Sequence, residues 1–159
     1  MQFKNVAVVC AVVCAGLMFS AAAKVSDPQS GTWKFNAEKS LYSPGPAAKS
    51  ITLTIWAEEK NVKVHSEGID GEGKATKVDF TANFDGKDYP ATGIAAGDMV
   101  SVERVDSNIL RVSMKKGGQT MMTVTSVVSA DGKLRTSTFV GKDPAGHDVK
   151  NVVVYDKEQ

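Results

Sequence analysis

The sequence predicts an all-β fold, an antiparallel up-and-down β-barrel of about 8 to 10 strands. Residues 24–159 contain 16 Val and 11 Thr but only 4 Leu. Side chains branched at Cβ fit a pleated strand better than a helix. Apolar residues alternate with period two, and no long stretch keeps the 3.6-residue period of an amphipathic helix. Short alternating segments separated by tight turns favour a meander, which closes most simply into a barrel.

Each predicted strand carries its apolar residues on one face. The alternation is clearest in Ser50–Ala57, where Ile51, Leu53 and Ile55 share a face. A short segment at Lys87–Thr92 is a candidate tenth strand. The nine principal predicted strands are Thr32–Phe35, Ser50–Ala57, Val62–Glu67, Ala75–Phe84, Met99–Val105, Ile109–Lys115, Gln119–Val128, Lys133–Gly141 and Val149–Tyr155.

Turn residues separate the predicted strands. Asp70-Gly71, Asp85-Gly86 and Asp131-Gly132 are typical of hairpin turns that need positive φ. Two longer stretches, 40–49 and 89–98, are rich in Pro, Gly and small residues, and we expect both to be loops. Their length would let them fold over a barrel mouth.

Residues 1–23 resemble a secretory signal peptide and are excluded from the predicted fold. Lys4 precedes an uncharged apolar run, and Ala21-Ala22-Ala23 supplies the small residues of a cleavage site. Cleavage would leave residues 24–159 as one domain in the periplasm or outside the cell, with no transmembrane segment. Both cysteines, Cys10 and Cys14, would leave with the signal, so the domain would have neither disulfides nor thiol chemistry.

The charge pattern argues against a nucleic-acid partner. The chain has 19 Lys+Arg and 18 Asp+Glu, and the only charge in residues 1–23 is Lys4. The domain would therefore be neutral, and its basic residues are spread evenly rather than forming a phosphate-neutralising stripe.

Motifs for catalysis or metal binding are weak. His65 and Glu67 share a strand face but have no visible third ligand, so a solvated face explains them better than a metal site. The segments at Asp70 and Asp85 lack the run of oxygen ligands that calcium loops need. We therefore expect no metal, no cofactor and no enzymatic activity, although a hydrolase with an unrecognised carboxylate pair stays open as a third hypothesis.

Aromatic residues give the strongest indication of function. Ligand pockets are concave and mostly apolar, with few polar groups. The same side chains could instead fill a dry core, since small barrels are either packed or hollow. The candidate ligand-binding residues are Trp33, Tyr42, Trp56, Phe80, Phe84 and Tyr89.

The segment Gly31-Thr32-Trp33 resembles the Gly-x-Trp start of lipocalin-like barrels. In that family the Trp closes one barrel end and packs against a basic side chain from a late strand, a role that the resemblance assigns to Arg135, Lys142 or Lys150. GTWKFNAEKSLYSPGP, FDGKDYP and NVVVYDKEQ together are similar to a group of small exported bacterial proteins. That resemblance implies export but no particular activity.

Two hypotheses of function follow. The first is an exported, non-catalytic protein that holds a small apolar or amphipathic ligand in its barrel. The alternative is a packed barrel that binds or inhibits an exported protein through loops 40–49 and 89–98. Pro44, Gly45 and Pro46 would present a stiff segment for that role.

Overall fold

The structure, a computed structural model, describes residues 26–95 and 97–158. The predicted signal peptide, residues 1–23, lies outside them. The described residues form a closed barrel of ten strands and contain no helix, so no helix among them is long and apolar enough to cross a membrane. In chain order, the strands are β1 Gly31–Leu41, β2 Ser50–Ala57, β3 Asn61–Ile69, β4 Ala75–Asn83, β5 Asp85–Thr92, β6 Met99–Arg104, β7 Ile109–Lys116, β8 Gln119–Val128, β9 Leu134–Lys142 and β10 Asp148–Lys157.

The barrel has up-and-down topology, as predicted. Each strand pairs antiparallel with the next along the chain, and β1 pairs with β10 to close the ring. Ring closure places Trp33 opposite Lys157 and Phe35 opposite Tyr155. The predicted bounds of β2 and β8 agree with the structure, because β2 alternates clearly and both segments lie between turn residues.

Two predicted loops are shorter than expected. The strand β1 continues to Leu41, past an irregularity in its pairing with β10 between Asn36 and Leu41, so the stretch 40–49 begins in a strand. The strand β5 includes residues 89–92 of the stretch predicted as the loop 89–98. Pro90 is tolerated there because β4 pairs with β5 only at Thr92 and Ala91, which leaves the Pro90 nitrogen without a required partner on that side.

Side chains alternate between the barrel interior and the solvent. The buried apolar cluster is contributed by strands from all around the ring and includes Trp33, Ile55, Val62, Val100 and Val102. Each of these five side chains is at most 1% exposed. Burial of one apolar face per strand fixes the register, since a one-residue slip would turn that face to water.

The two barrel ends differ. We call the end that holds residues 26–30 and the turns at 58–60, 84, 105–108 and 129–133 the capped end. The opposite end, which carries the remaining strand connections, is the far end. Tyr42 and Ile94, from two far-end connections, pack against the core cluster.

Candidate functional site

The barrel interior contains a cavity of about 150 Å³. Most of its wall is aliphatic or aromatic, and five polar residues interrupt it. The polar lining residues are Ser66, Ser126, Arg135, Ser137 and Tyr155. Four of these come from the neighbouring strands β8, β9 and β10, so the polar residues are concentrated on one side of the cavity, and Ser66 alone comes from elsewhere, on β3. Such a site can take an apolar group together with a hydrogen-bonding or charged end.

Arg135 is the only charged residue among those lining the cavity within the described ranges. Its side chain is buried, and its Nη1 donates to Gln29 Oε1 at 2.5 Å. Its Nε is also buried but has no hydrogen-bond partner among the residues that the structure describes. Burial lowers the pKa of Arg135 to about 10, while the neighbouring Tyr155 opposes that shift. The guanidinium therefore keeps its charge at neutral pH.

Tyr155 lies beside Arg135, because the two residues are cross-strand partners on β10 and β9. Burial is the main cause that raises the pKa of the Tyr155 phenol well above its usual range, and nearby Tyr42 adds to that shift. The phenol is consequently neutral and keeps a proton to donate. Two pairs further along the same two strands, Val153 faces Ser137, and Ser137 Oγ lies 2.8 Å from Ser126 Oγ.

The capped end is closed by Trp33 and the segment before it. The Trp33 ring is fully buried, and its Nε1 donates to the Gln29 carbonyl oxygen at 3.2 Å. Lys157 Nζ lies 4.9 Å from the ring centroid and the Arg135 guanidinium carbon 5.9 Å from it. Of the three basic residues that the lipocalin resemblance suggests, Arg135 is thus beside Trp33. The other two, Lys142 and Lys150, lie on far-end segments of β9 and β10.

A second set of contacts ties the N-terminal segment to β6. Asp27 Oδ2 and Arg104 Nη2 form an ion pair at 2.7 Å, and both side chains are largely shielded from solvent. The Arg104 guanidinium lies 4.1 Å from the Phe84 ring centroid and also donates to the Glu58 carbonyl oxygen. The capped end is therefore held by charge, hydrogen bonds and aromatic packing together.

The six predicted ligand-binding residues do not converge on one site. Phe80 lines the cavity. Trp33 and Phe84 belong to the capped end, and Trp56 is 49% exposed on the outer surface beneath Lys63. The remaining two, Tyr42 and Tyr89, pack against the core but do not line the cavity.

The tyrosines among these residues have distinct contacts. Tyr42 meets Phe35 edge to face, with ring centroids 6.3 Å apart. Burial raises the Tyr42 pKa, which a hydrogen bond with the Ala48 backbone partly offsets. The Tyr89 hydroxyl donates to the Asp85 carboxylate and accepts from Asn83 Nδ2 at 2.8 Å.

Sequence reasoning missed the polar part of the cavity. Arg135 and Ser137 occupy inward positions of a strand that reads Leu-Arg-Thr-Ser-Thr-Phe, where alternation alone would place the charged residue outward. Gln29 precedes the first strand, and no feature of the local sequence marks it for burial. Its role depends on Arg135, which is far away along the chain.

The pair His65 and Glu67 lies on the outer face of β3. His65 Nε2 is 3.2 Å from Glu67 Oε1, and His65 Nδ1 is 2.5 Å from Asp79 Oδ1. The hydrogen bond with His65 is the main cause that lowers the Asp79 pKa. Within the described ranges, no group of three or more His, Cys, Asp or Glu residues is arranged to hold a metal ion.

A larger groove, about 710 Å³, lies on the outer surface at the far end of β8, β9 and β10. Ser43, Val140 and Lys142 are among its residues. The interior cavity is lined by buried or half-buried side chains, so it removes more of an occupant from water than this groove, whose residues include the exposed Val140. Apolar recognition depends on that removal, so we favour the smaller interior cavity as the candidate site.

No family model matches the sequence, and no curated protein matches it either.

Proposed function

We propose that this chain is an exported, non-catalytic binding protein that holds a small apolar or amphipathic ligand inside its barrel. The observation that carries the proposal is the interior cavity of about 150 Å³, with apolar walls and one polar side. Burying the apolar part of a ligand against such walls supplies the binding free energy, and the polar residues fix its orientation.

The cavity volume limits the size of the ligand. An engineered protein cavity of about 150 Å³ holds benzene, whereas pockets for drug-sized molecules occupy about 300–1,000 Å³. The proposed ligand therefore has one ring, or a chain of roughly six carbons.

The composition of the lining supports a binding role rather than catalysis. Among the described residues, those that line the cavity include no Asp, Glu, His or Cys. A serine or tyrosine nucleophile needs a neighbouring general base, and a charged arginine cannot take up a proton.

The proposal is tested by filling the cavity. Val124 lines it and is 5% exposed, whereas Val127 on the same strand is 41% exposed. We expect Val124→Phe to abolish binding of benzene and benzyl alcohol, measured by NMR titration of the whole chain. The matched variant Val127→Phe should bind like the wild type. Absence of binding by the folded wild type would refute a hollow barrel of this size.

A second candidate function is the protein-interaction or inhibitor module. It is favoured by one observation, that the connections following β1 and β5 leave the barrel at the same end. Native mass spectrometry of the protein isolated gently from its own source separates the two functions. A small adduct supports the ligand carrier. A protein-sized adduct that is lost on alanine substitution of residues 42–46 supports the interaction module.

A further inference from the structure

We propose that the ligand is a small monocarboxylate, with its carboxylate against Arg135 and its apolar body against the opposite wall around Phe80 and Val64. This inference rests on the proposed function and adds the chemical class of the ligand. It is carried by a buried cation that lines a cavity and has no acidic partner among the described residues.

The charge of Arg135 is not balanced by the residues around it. Its hydrogen-bond partner, Gln29, is neutral, and its neighbours Trp33 and Tyr155 carry no negative charge at neutral pH. The nearby Lys157, which lies over the same indole ring, is another cation. In the described ranges, none of the ion pairs involves Arg135.

A buried guanidinium without a counterion is costly, and so is a buried N–H without an acceptor. Within residues 26–95 and 97–158, Arg135 has both features, since no counterion and no acceptor for its Nε lie there. Arg104 has an unpartnered Nε too, but its charge is balanced by Asp27. Of these two arginines, Arg135 is therefore the one whose Nε lacks an acceptor and whose charge lacks a counterion among the described residues.

The donors around Arg135 suit a carboxylate. Tyr155 keeps its phenolic proton, and the hydroxyls of Ser126 and Ser137 are on the same polar side of the cavity. A carboxylate accepts from a guanidinium and from hydroxyls at once, and charge-assisted hydrogen bonds are stronger than neutral ones. One negative charge balances the single lining cation, whereas a phosphate dianion would bury an excess charge.

The apolar part of the ligand is limited by the remaining space. Phe80, Val112 and Met114 belong to the apolar lining. A ring or short chain of about six carbons fits the volume, in line with the benzene-sized cavity noted above. Benzoate and hexanoate are therefore suitable probes, and benzyl alcohol and hexanol are neutral counterparts of similar size.

The first experiment uses the wild-type chain with these four probes at pH 7. We expect calorimetry to show at least roughly tenfold tighter binding of each carboxylate than of its alcohol, a ratio that corresponds to about 1.4 kcal/mol. Equal or tighter binding of the alcohols would overturn the carboxylate assignment but leave the proposed function standing. Failure of all four probes to bind would overturn both.

A variant of Arg135 then tests whether this side chain causes the preference for the carboxylate over the alcohol. Arg135→Met removes the charge at similar length and should abolish the preference for benzoate while benzyl alcohol still binds. The control is Arg111→Met, because Arg111 is a half-exposed arginine on the outer face of β7, paired with Glu103. Retention of the benzoate preference by folded Arg135→Met would contradict the assignment.

The second variant addresses the risk that Arg135→Met does not fold. Tyr155→Phe removes only the hydroxyl and keeps the buried ring. We expect it to weaken benzoate binding several-fold and to leave benzyl alcohol unchanged. Equal losses for both probes would indicate a change in cavity shape and would count against a carboxylate site at this position.

Discussion

The two ends of the barrel are closed by different chemistry. At the capped end, Trp33 and Gln29 are fully buried, and Arg135 and Lys157 lie against the indole ring. At the far end, Tyr42 and Ile94 pack on the core from connecting segments and are only partly buried. Buried polar networks hold one arrangement, whereas a few half-buried apolar contacts can open at low cost. We therefore expect the capped end to be the rigid base of the cavity and the far end to be its route of access.

The largest expected effect is the loss of Trp33. Trp33→Ala should lower the free energy of unfolding by about 3–5 kcal/mol, because a large buried ring is lost and a cavity is left behind. Tyr42→Ala at the far end should lower it by roughly 1–2 kcal/mol, since that ring is only partly buried. Trp56→Ala, on the outer surface, is the matched control and should change it by less than about 1 kcal/mol.

Urea denaturation monitored by far-UV circular dichroism measures all three changes. Equal losses for Trp33→Ala and Tyr42→Ala would show that the two ends are equally important for stability. That result would remove the distinction drawn here between a rigid base and an access route.

The difference in stability between the two ends can also be tested with one side-chain amide at each end, where the expected effects are smaller. Gln29→Ala removes the side-chain oxygen that accepts from Arg135 and should lower the free energy of unfolding by about 1–3 kcal/mol. At the far end, the Asn151 side chain accepts from the Ser43 backbone N–H at 2.8 Å in an exposed position. Water can replace that acceptor, so Asn151→Ala should cost about 0.5–1 kcal/mol. The same denaturation experiment compares them, and a larger loss for Asn151→Ala would contradict the expectation.

The smallest expected effect is on the pH dependence of stability. It concerns one turn at each end of the barrel, and each of these turns contains an Asp whose pKa is lowered. Asp131 is in a capped-end turn, and its pKa is lowered mainly by a hydrogen bond with the Ser129 side chain. Asp143 is in a far-end turn, and its pKa is lowered mainly by the His147 backbone amide. A lowered folded-state pKa stabilises the protein above the ordinary value of 3.8, and the contribution is lost as the pH falls through the folded-state pKa.

We therefore expect Asp131→Asn and Asp143→Asn to make stability fall less steeply than the wild type between about pH 4 and pH 2. The two shifts should be similar in size, because both carboxylates are solvent-accessible and accept hydrogen bonds within a turn. Unfolding free energy measured across that pH range provides the test. A pH profile identical to that of the wild type would show that these turn contacts do not contribute.

The fold could be predicted largely from local patterns. Alternation marks β2 clearly, because it is a strand with one buried face, and turn residues on either side mark β8. The strand β5 was harder, since Pro90 normally interrupts a strand and is accepted here only because its pairing with β4 is short. The extent of β1 beyond Phe35 was missed, because the following residues are mainly polar and do not alternate.

The candidate site was less predictable. Aromatic residues indicated a cavity, but only Phe80 among the six lines it. Whether an aromatic ring points inward depends on the register of its strand, as Trp56 on the outer surface shows. Arg135 and Gln29 meet only when the barrel closes, so their interaction depends on tertiary structure that single-sequence patterns do not encode.

Closure of the ring also has a consequence for how the chain folds. The strands β1 and β10 are the first and last along the chain, yet they are paired in the barrel, where Trp33 faces Lys157. Until they pair, the sheet has two unpaired edges, and unpaired edges are templates for aggregation. Contacts between such distant segments also form slowly. We therefore expect the newly made chain to depend on chaperone protection until its last strand has joined its first.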